Sequence, residues 1–393
     1  MTLPGRPVWV RLHRWAGLAT ALFLFVAGLT GSFLAFGPDI DAWLNPKLFQ
    51  APGRGPALDM DTLAGRIEAA HPRLQVEYLT LPREPGRAAF AFVWPRDGVA
   101  GQGADAIDQV FIDPVTGELL GARRRGACCL EPEHLYYFML HVHHSLFLPG
   151  RWGWWFMGGV AIVWLLDCFI GLLLTLPFKG AFWKQWLKAW RIKAGAGAYR
   201  LNLDLHRAGG LWLWIALLVL ALSSVALNLK HEVFRPVVSW FSPLTPEPGG
   251  TAVAPSAPTL GFERARQLGD AEARARGWDA TTSGVSHFPS MGVYLALLWP
   301  SHADRGLGLG EPILYFDSVS GELVGEVVPG RGSAGDVFAQ AQFPLHSGQV
   351  AGLPGRIFIA ISGVVVAVLS VTGVVIWWKK RRARRFARHV RSG

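Results

Sequence analysis

The sequence has 393 residues, of which 51% are hydrophobic and 17% are charged, and its mean hydropathy is +0.28. The apolar residues fall into long blocks, which excludes a fully soluble protein and predicts a membrane protein with soluble insertions. The net charge of +10 arises from basic segments beside these blocks. It therefore indicates membrane topology, and we expect no nucleic-acid partner.

Four apolar runs are long enough to cross a hydrocarbon layer of roughly 30 Å, which takes about 20 helical residues. They are residues 15–36, 152–176, 208–229 and 357–378. The first run is longer than a usual signal-peptide core and lacks a convincing cleavage site, so we expect a retained helix. Basic residues crowd the N-terminus, the segment before the third run and the C-terminal tail. The positive-inside rule places these three segments, and thus both termini, in the cytoplasm.

The predicted fold class is an α-helical membrane protein with four transmembrane helices and two outer α+β domains, made by internal duplication. The predicted segments are transmembrane helix 1 (1–37), outer domain 1 (38–135), transmembrane helix 2 with a histidine cluster (136–177), a basic cytoplasmic loop (178–205), transmembrane helix 3 (206–229), outer domain 2 (230–345), transmembrane helix 4 (346–378) and a basic cytoplasmic tail (379–393).

Three repeated motifs support the duplication. The motif LHRxxGL stands at 12–18 and 205–211, before the first and third runs. Each outer domain has a helix candidate, at 60–71 and 261–276, and a strand, tight turn and second strand around DxxxGEL at 113–119 and 317–323. The motif FxxH at 138–141 and 343–346 is followed in both copies by LPGR, at 148–151 and 353–356.

The repeats place histidines at both edges of the predicted membrane. His13 and His206 lie at the inner edge, and His141, His143, His144 and His346 lie at the outer edge. A histidine at a membrane edge is costly unless it is paired or ligating. Two histidines from different helices form the axial ligands of a six-coordinate b-type haem, for which a helix bundle supplies an apolar slot. Arg14 and Arg207 follow the inner histidines, Arg151 and Arg356 lie close to the outer ones, and these arginines could pair with haem propionates.

Two questions about the histidine cluster stay open at this stage. The internal repeat aligns His141 with His346, whereas His143 and His144 are equally close in sequence. A competing zinc or copper site could use His141, His143 and His144 with Glu131 or Glu133, although it would leave the inner histidines unexplained.

The sequence resembles the PepSY-associated transmembrane proteins, and among them the inner-membrane ferric-siderophore reductases. The resemblance rests on LHRWAGL, HHSLFLPGRWG, WLLDCFIGLLLTLP, DLHRAGGLWLW, the two DxxxGEL turns and PLHSGQVAGLPGR. It implies a protein of the bacterial inner membrane with two periplasmic PepSY-like domains and two haem b groups. The family pattern HxSLxL falls on 143–148 and favours His143 as the outer ligand.

The function that the resemblance implies is an oxidoreductase. Electrons from a cytoplasmic or quinol donor would pass from a haem at His13 and His206 to one at His143 and His346, and then to a periplasmic ferric siderophore. One alternative is a non-enzymatic PepSY protein that binds a periplasmic partner, and another is a haem-handling or metal-handling protein. The roles of Asp167, which lies within a span, and of the adjacent Cys128 and Cys129 stay open.

Overall fold

A computed structural model describes residues 5–96, 106–177, 179–193, 195–246, 248, 260–300 and 308–392. The chain forms two compact units. The membrane unit comprises Met1–Phe36, Met139–Phe241 and Ala341–Gly393, and the sheet unit comprises Gly37–Phe138 and Ser242–Gln340.

Helices and strands follow one another in an order that repeats once along the chain. They are α1 (Arg6–Leu34), α2 (Gly37–Leu44), α3 (Pro46–Phe49), α4 (Met60–Ala70), β1 (Leu74–Thr80), β2 (Ala89–Pro95), β3 (Gln109–Ile112), β4 (Leu119–Arg123), α5 (Pro132–Ser145), α6 (Trp152–Thr175), α7 (Phe182–Trp186), α8 (Ala198–Trp212), α9 (Trp214–Asn228), a π-helical turn (Lys230–Phe234), α10 (Arg235–Ser239), α11 (Phe262–Ala275), β5 (Ala280–Phe288), a 3-10 turn (Pro289–Met291), β6 (Val293–Pro300), β7 (Ile313–Asp317), β8 (Leu323–Val327), α12 (Ala334–Ser347) and α13 (Gly352–Ser392).

The membrane unit contains apolar helices long enough to span a bilayer. Among the described residues, α1, α6 and α13 each qualify alone, and α8 with α9 qualifies as a fourth, broken span. The α1 and α13 backbones touch where Gly28 faces Gly363, because a Cβ atom on Gly28 would lie 2.5 Å from the Gly363 carbonyl oxygen. Beside this contact, the Ser32 hydroxyl donates a hydrogen bond of 2.7 Å to the Ala360 carbonyl. In a lipid environment the hydrophobic effect does not drive helices together, so close packing of small residues and interhelical hydrogen bonds stabilise their association.

The third and fourth spans differ from the predicted boundaries. The third begins as α8 at Ala198 and bends by 70° between α8 and α9, whereas one uninterrupted span was predicted. Gly209 and Gly210 weaken the helix one turn before the bend, at which Leu213 has non-helical backbone angles. The fourth span, α13, continues without a break through the basic tail, and His346 belongs to the separate helix α12.

The sheet unit contains one antiparallel sheet of eight strands in the order β4-β3-β2-β1-β5-β6-β7-β8. The predicted helices at 60–71 and 261–276 are confirmed as α4 and α11. The two predicted strand-turn-strand segments are also confirmed, as the β3–β4 and β7–β8 hairpins.

The two halves of this sheet meet at the β1–β5 pair, where two separate outer domains had been predicted. Tyr78 lies opposite Ser286 at this junction. Helices α4 and α11 are joined by hydrogen bonds between their N-terminal turns. Asp61 of α4 accepts a hydrogen bond of 2.7 Å from the Phe262 amide of α11. In return, Glu263 of α11 accepts one of 3.2 Å from the first amide of α4. One apolar core includes side chains from both halves, so the halves form a single cooperative unit.

Two buried carboxylates organise the first half of the sheet unit. Asp113 begins the β3–β4 turn and accepts hydrogen bonds from the amides of Gly53, Val115 and Thr116 at 2.7, 2.8 and 3.1 Å. Asp41 pairs with both terminal nitrogens of Arg123, at 2.6 and 2.8 Å, and the two side chains are 3% and 1% exposed. A fully buried bidentate pair of this kind leaves an uncompensated charge if either partner is removed.

Candidate functional site

The membrane unit brings four of the predicted histidines together in two pairs. His13 of α1 and His206 of α8 have ring centroids 6.1 Å apart. His143 of α5 and His346 of α12 have ring centroids 6.0 Å apart. Metal–imidazole bonds are about 2 Å long, so one ion held between two imidazole rings keeps their centroids about 6 Å apart. The spacing of both pairs fits a shared metal ion.

Hydroxyl groups lie beside both rings of the His143–His346 pair. The His143 Nδ1 atom lies 3.0 Å from the Thr30 hydroxyl, and the His346 Nδ1 atom lies 2.9 Å from the Ser223 hydroxyl. Each hydroxyl is also placed to donate its own proton to the carbonyl four residues earlier in its helix. In that arrangement it accepts from the imidazole, and the corresponding tautomer has the ring proton on Nδ1 and a free lone pair on Nε2.

The His13–His206 pair has the same tautomers with different acceptors. The His206 Nδ1 atom lies 3.1 Å from the Leu369 carbonyl, which can only accept, and 3.0 Å from the Thr372 hydroxyl. The His13 Nδ1 atom lies 2.9 Å from an Asp167 carboxylate oxygen. Hydrogen bonds from one ring nitrogen to a carboxylate, carbonyl or hydroxyl oxygen are what orient metal-ligating histidines. All four rings thus present Nε2 as the available ligand.

Glycines on neighbouring helices make room for the rings. A Cβ atom on Gly31 would lie 2.9 Å from Cε1 of His143, and one on Gly373 would lie 3.2 Å from Cε1 of His206. Each glycine directly follows the hydroxyl residue that holds the same imidazole, Thr30 or Thr372. A Thr-Gly pair therefore supplies both the hydrogen-bond acceptor and the space for the ring.

The other two histidines of the cluster lie outside the pairs. The His141 ring centroid is 5.2 Å from that of His144, and His144 stacks on Trp154 at 4.2 Å. His143, not His141, faces His346, although the repeat aligns His141 with that residue. Within the part of the chain that the structure describes, no group of three or more His, Cys, Asp or Glu side chains is arranged to hold a metal ion.

The two predicted propionate partners beside the inner histidines, Arg14 and Arg207, differ in their surroundings. The Arg207 guanidinium donates to Asp204 at 2.8 Å and to the Lys188 carbonyl at 3.1 Å, while its Nε atom is buried with no hydrogen-bond partner among the described residues. Arg14 directly follows His13 and is half-buried. Within the described part of the chain, the Arg207 Nε atom is therefore an unpaired donor one residue after His206 in the sequence.

Sequence analysis missed the hydroxyl acceptors, although the repeat carries a signal for them. Thr30 lies 17 residues after His13, and Ser223 lies 17 residues after His206. Asp167 was singled out in the sequence without a partner, and the structure assigns it to His13. Cys128 and Cys129 are adjacent in the sheet unit, and Cys168 is a buried free thiol.

Four candidate spans and two interhelical histidine pairs define a multi-pass membrane protein with a candidate cofactor centre in its helical unit. The family described as the PepSY-associated TM region matches residues 10–380, so the chain belongs to that family. No curated protein matches the chain.

Proposed function

We propose that the protein holds two haem b groups and carries electrons across the bacterial inner membrane to a ferric siderophore. The observation that carries this proposal is the common state of four histidines in two pairs, each with Nδ1 bonded to an acceptor and Nε2 available. When bound, a haem with two axial histidines supplies a one-electron Fe(III)/Fe(II) couple that has no open coordination position. Oxygen binding is therefore not part of the proposed chemistry.

The side chains of this protein have three roles in the proposal. The four paired histidines would hold the haem irons through Nε2, and their oxygen acceptors would keep the rings in the ligating tautomer. Gly31 and Gly373 let the His143 and His206 rings approach a neighbouring helix closely. Arg14 and Arg207 lie next to the ligands of one pair, where their positive charges can neutralise haem propionates.

The proposed direction follows from the charge distribution of the sequence. The basic termini and the basic loop favour the cytoplasm, which makes the His13–His206 pair cytoplasmic and the His143–His346 pair periplasmic. A quinol, which releases two protons as it gives up two electrons one after the other, or a reduced cytoplasmic carrier would supply the electrons. Each ferric siderophore on the periplasmic side would accept one electron, and the resulting Fe(II) binds hard oxygen ligands less tightly, so the iron would be released. The choice of this acceptor class rests on the resemblance of the sequence motifs to siderophore reductases.

The first experiment counts haem in the purified full-length protein by the pyridine haemochrome method. We expect about two haem b groups per chain. His13→Ala and His206→Ala should each lose the same haem, and His143→Ala and His346→Ala should each lose the other. His141→Ala is the matched control and should keep both haems. Protein that contains no haem after expression with ample haem supply would overturn the proposed cofactor set. So would haem losses in the four histidine variants that do not fall into the two expected pairs.

The acceptor is tested with the dithionite-reduced protein after excess reductant has been removed. Adding a ferric siderophore should reoxidise the haems, with one Fe(II) trapped by a ferrous-specific chelator for each electron lost. The gallium(III) complex of the same siderophore has a similar size and charge and cannot be reduced under these conditions, so it serves as the control. Equal haem spectra with the iron and gallium complexes would refute a ferric-siderophore acceptor. Such a result would favour a PepSY protein with a different partner.

A further inference from the structure

Each of the four paired histidines has an oxygen acceptor at Nδ1, and three of these acceptors are uncharged. His143, His206 and His346 donate from Nδ1 to uncharged oxygens, whereas His13 donates to the Asp167 carboxylate at 2.9 Å. The Asp167 side chain is only 12% exposed, and it lies within the α6 span. An ionisable residue at such a position is costly and is kept for function.

The two copies of the internal repeat differ at the position of this carboxylate. Asp167 lies 16 residues after Arg151, and Thr372 lies 16 residues after Arg356, the corresponding arginine of the other LPGR motif. The two residues hold opposite members of the same histidine pair. The fold therefore accepts a neutral hydroxyl at this position, and the first copy has an anion instead.

A carboxylate changes an axial ligand more strongly than a hydroxyl does. A charged acceptor forms a shorter and stronger hydrogen bond, and it raises the basicity of the Nε2 atom on the other side of the ring. A more basic ligand and a nearby negative charge both stabilise Fe(III) relative to Fe(II), which lowers the reduction potential. The low dielectric constant of the membrane interior increases the effect of the charge.

We propose that Asp167 is a positioning residue that lowers the reduction potential of a haem at His13 and His206 below that of a haem at His143 and His346. This inference rests on the proposed function and adds a direction to it. One electron moves from the His13–His206 pair towards the His143–His346 pair. No proton moves and no bond is made or broken in that transfer. The donor remains a quinol or reduced cytoplasmic carrier, and the acceptor remains a ferric chelate.

The test is a spectroelectrochemical titration of the full-length haem protein at one fixed pH. Asp167→Asn keeps a side-chain oxygen that can accept from His13 and removes the charge. We expect the equilibrium constant for electron exchange between the two haems to change at least tenfold, which is about 59 mV for a one-electron couple. The shift in reduction potential should occur at the haem that is lost in His13→Ala. Asp167→Glu should restore most of the wild-type potential.

Two further variants keep the inference falsifiable if Asp167→Asn binds haem poorly. Asp167→Thr installs the residue that the repeat has at this position and should bring the two potentials closer together. Thr372→Asp adds a second carboxylate to the same pair and should lower its potential further. Two haems per chain with unchanged potentials in the Asp167 variants would refute the inference and leave the proposed function standing. Wild-type protein without haem would refute the proposed function itself.

Discussion

Replacing Ser223 with alanine is expected to weaken haem binding at the His143–His346 pair. The Ser223 hydroxyl is fully buried and accepts a hydrogen bond of 2.9 Å from the His346 Nδ1 atom. Removing the oxygen leaves a buried N–H group without its acceptor, which costs about 1–3 kcal/mol. Loss of a residue that orients a metal ligand typically lowers affinity by roughly 10–100-fold, in agreement with that energy.

The neighbouring serine provides a matched control for this change. The Ser224 hydroxyl donates to the Leu220 carbonyl at 2.8 Å, and Ser223 donates to the carbonyl one residue earlier at 2.7 Å. Both serines thus bond to their own helix, but only Ser223 holds an imidazole. Ser224→Ala should retain wild-type affinity.

Haem affinity is measured by titrating haem into apoprotein in detergent and following the Soret band. The rate of haem transfer to an excess of a haem-scavenging protein gives an independent measure. We expect faster loss of one of two haems in Ser223→Ala and no change in Ser224→Ala. Equal behaviour of the two variants would show that the hydroxyl does not act through His346, and the argument from tautomers would then fail.

Three other predictions concern stability, measured by thermal unfolding of the full-length protein in detergent. Gly28→Ala should destabilise the membrane unit because the new Cβ atom would overlap the Gly363 carbonyl. The control Gly17→Ala places its Cβ atom with no other atom within 4 Å and should be neutral. Equal losses of stability in the two variants would contradict the close α1–α13 contact. Arg123→Ala should cost about 3–5 kcal/mol because the buried Asp41 carboxylate loses its cationic partner, and a loss near zero would mean that the pair is solvated. Burial alone would raise the pKa of Asp113, but the three amide hydrogen bonds outweigh it and lower the pKa below its ordinary value. The ionised carboxylate therefore stabilises the fold above the unfolded-state pKa of about 3.9, and this stabilisation is lost as the pH falls through the lowered folded-state pKa. Asp113→Asn should unfold earlier than the wild type at pH 7, and the difference should shrink in acid. A difference that stays constant with pH would contradict the assignment.

The sequence predicted the helices that carry His13 and His206, because the repeated LHRxxGL motif stands before two apolar runs. It placed His143 and His346 in the second and fourth spans, whereas they lie on the separate helices α5 and α12. The internal repeat could not choose the right histidine of the outer cluster, and only the family pattern favoured His143. Successive helical residues are about 100° apart, so His141 and His143 project from nearly opposite sides of α5 and only one can face His346. The repeat aligned His141 with His346 by their equal distance to LPGR. That alignment is misleading because the copies differ by two residues between the paired histidine and LPGR.

The elements of the sheet unit were predictable from local patterns, and their association was not. Alternating apolar residues and the DxxxGEL turns specify hairpins within each half. The β1–β5 pair requires the β1 edge of the first half of the sheet to meet the β5 edge of the second half. This association involves residues far apart in sequence, such as Asp61 and Glu263. The bend between α8 and α9 was likewise missed, since hydropathy reports the length of a span and not its path.

The central position of the β1–β5 pair also has a consequence for biosynthesis. Residue 78 pairs with residue 286, so more than 200 residues must be translated between the two strands, which takes about 10–40 s at ordinary rates. Throughout that time β1 is an open edge that can pair with another nascent chain. The sheet can close only after α6, α8 and α9 have left the ribosome, which makes its completion a late event of assembly. Truncation of the chain after α9 would therefore yield an aggregation-prone half-sheet and not a smaller working protein.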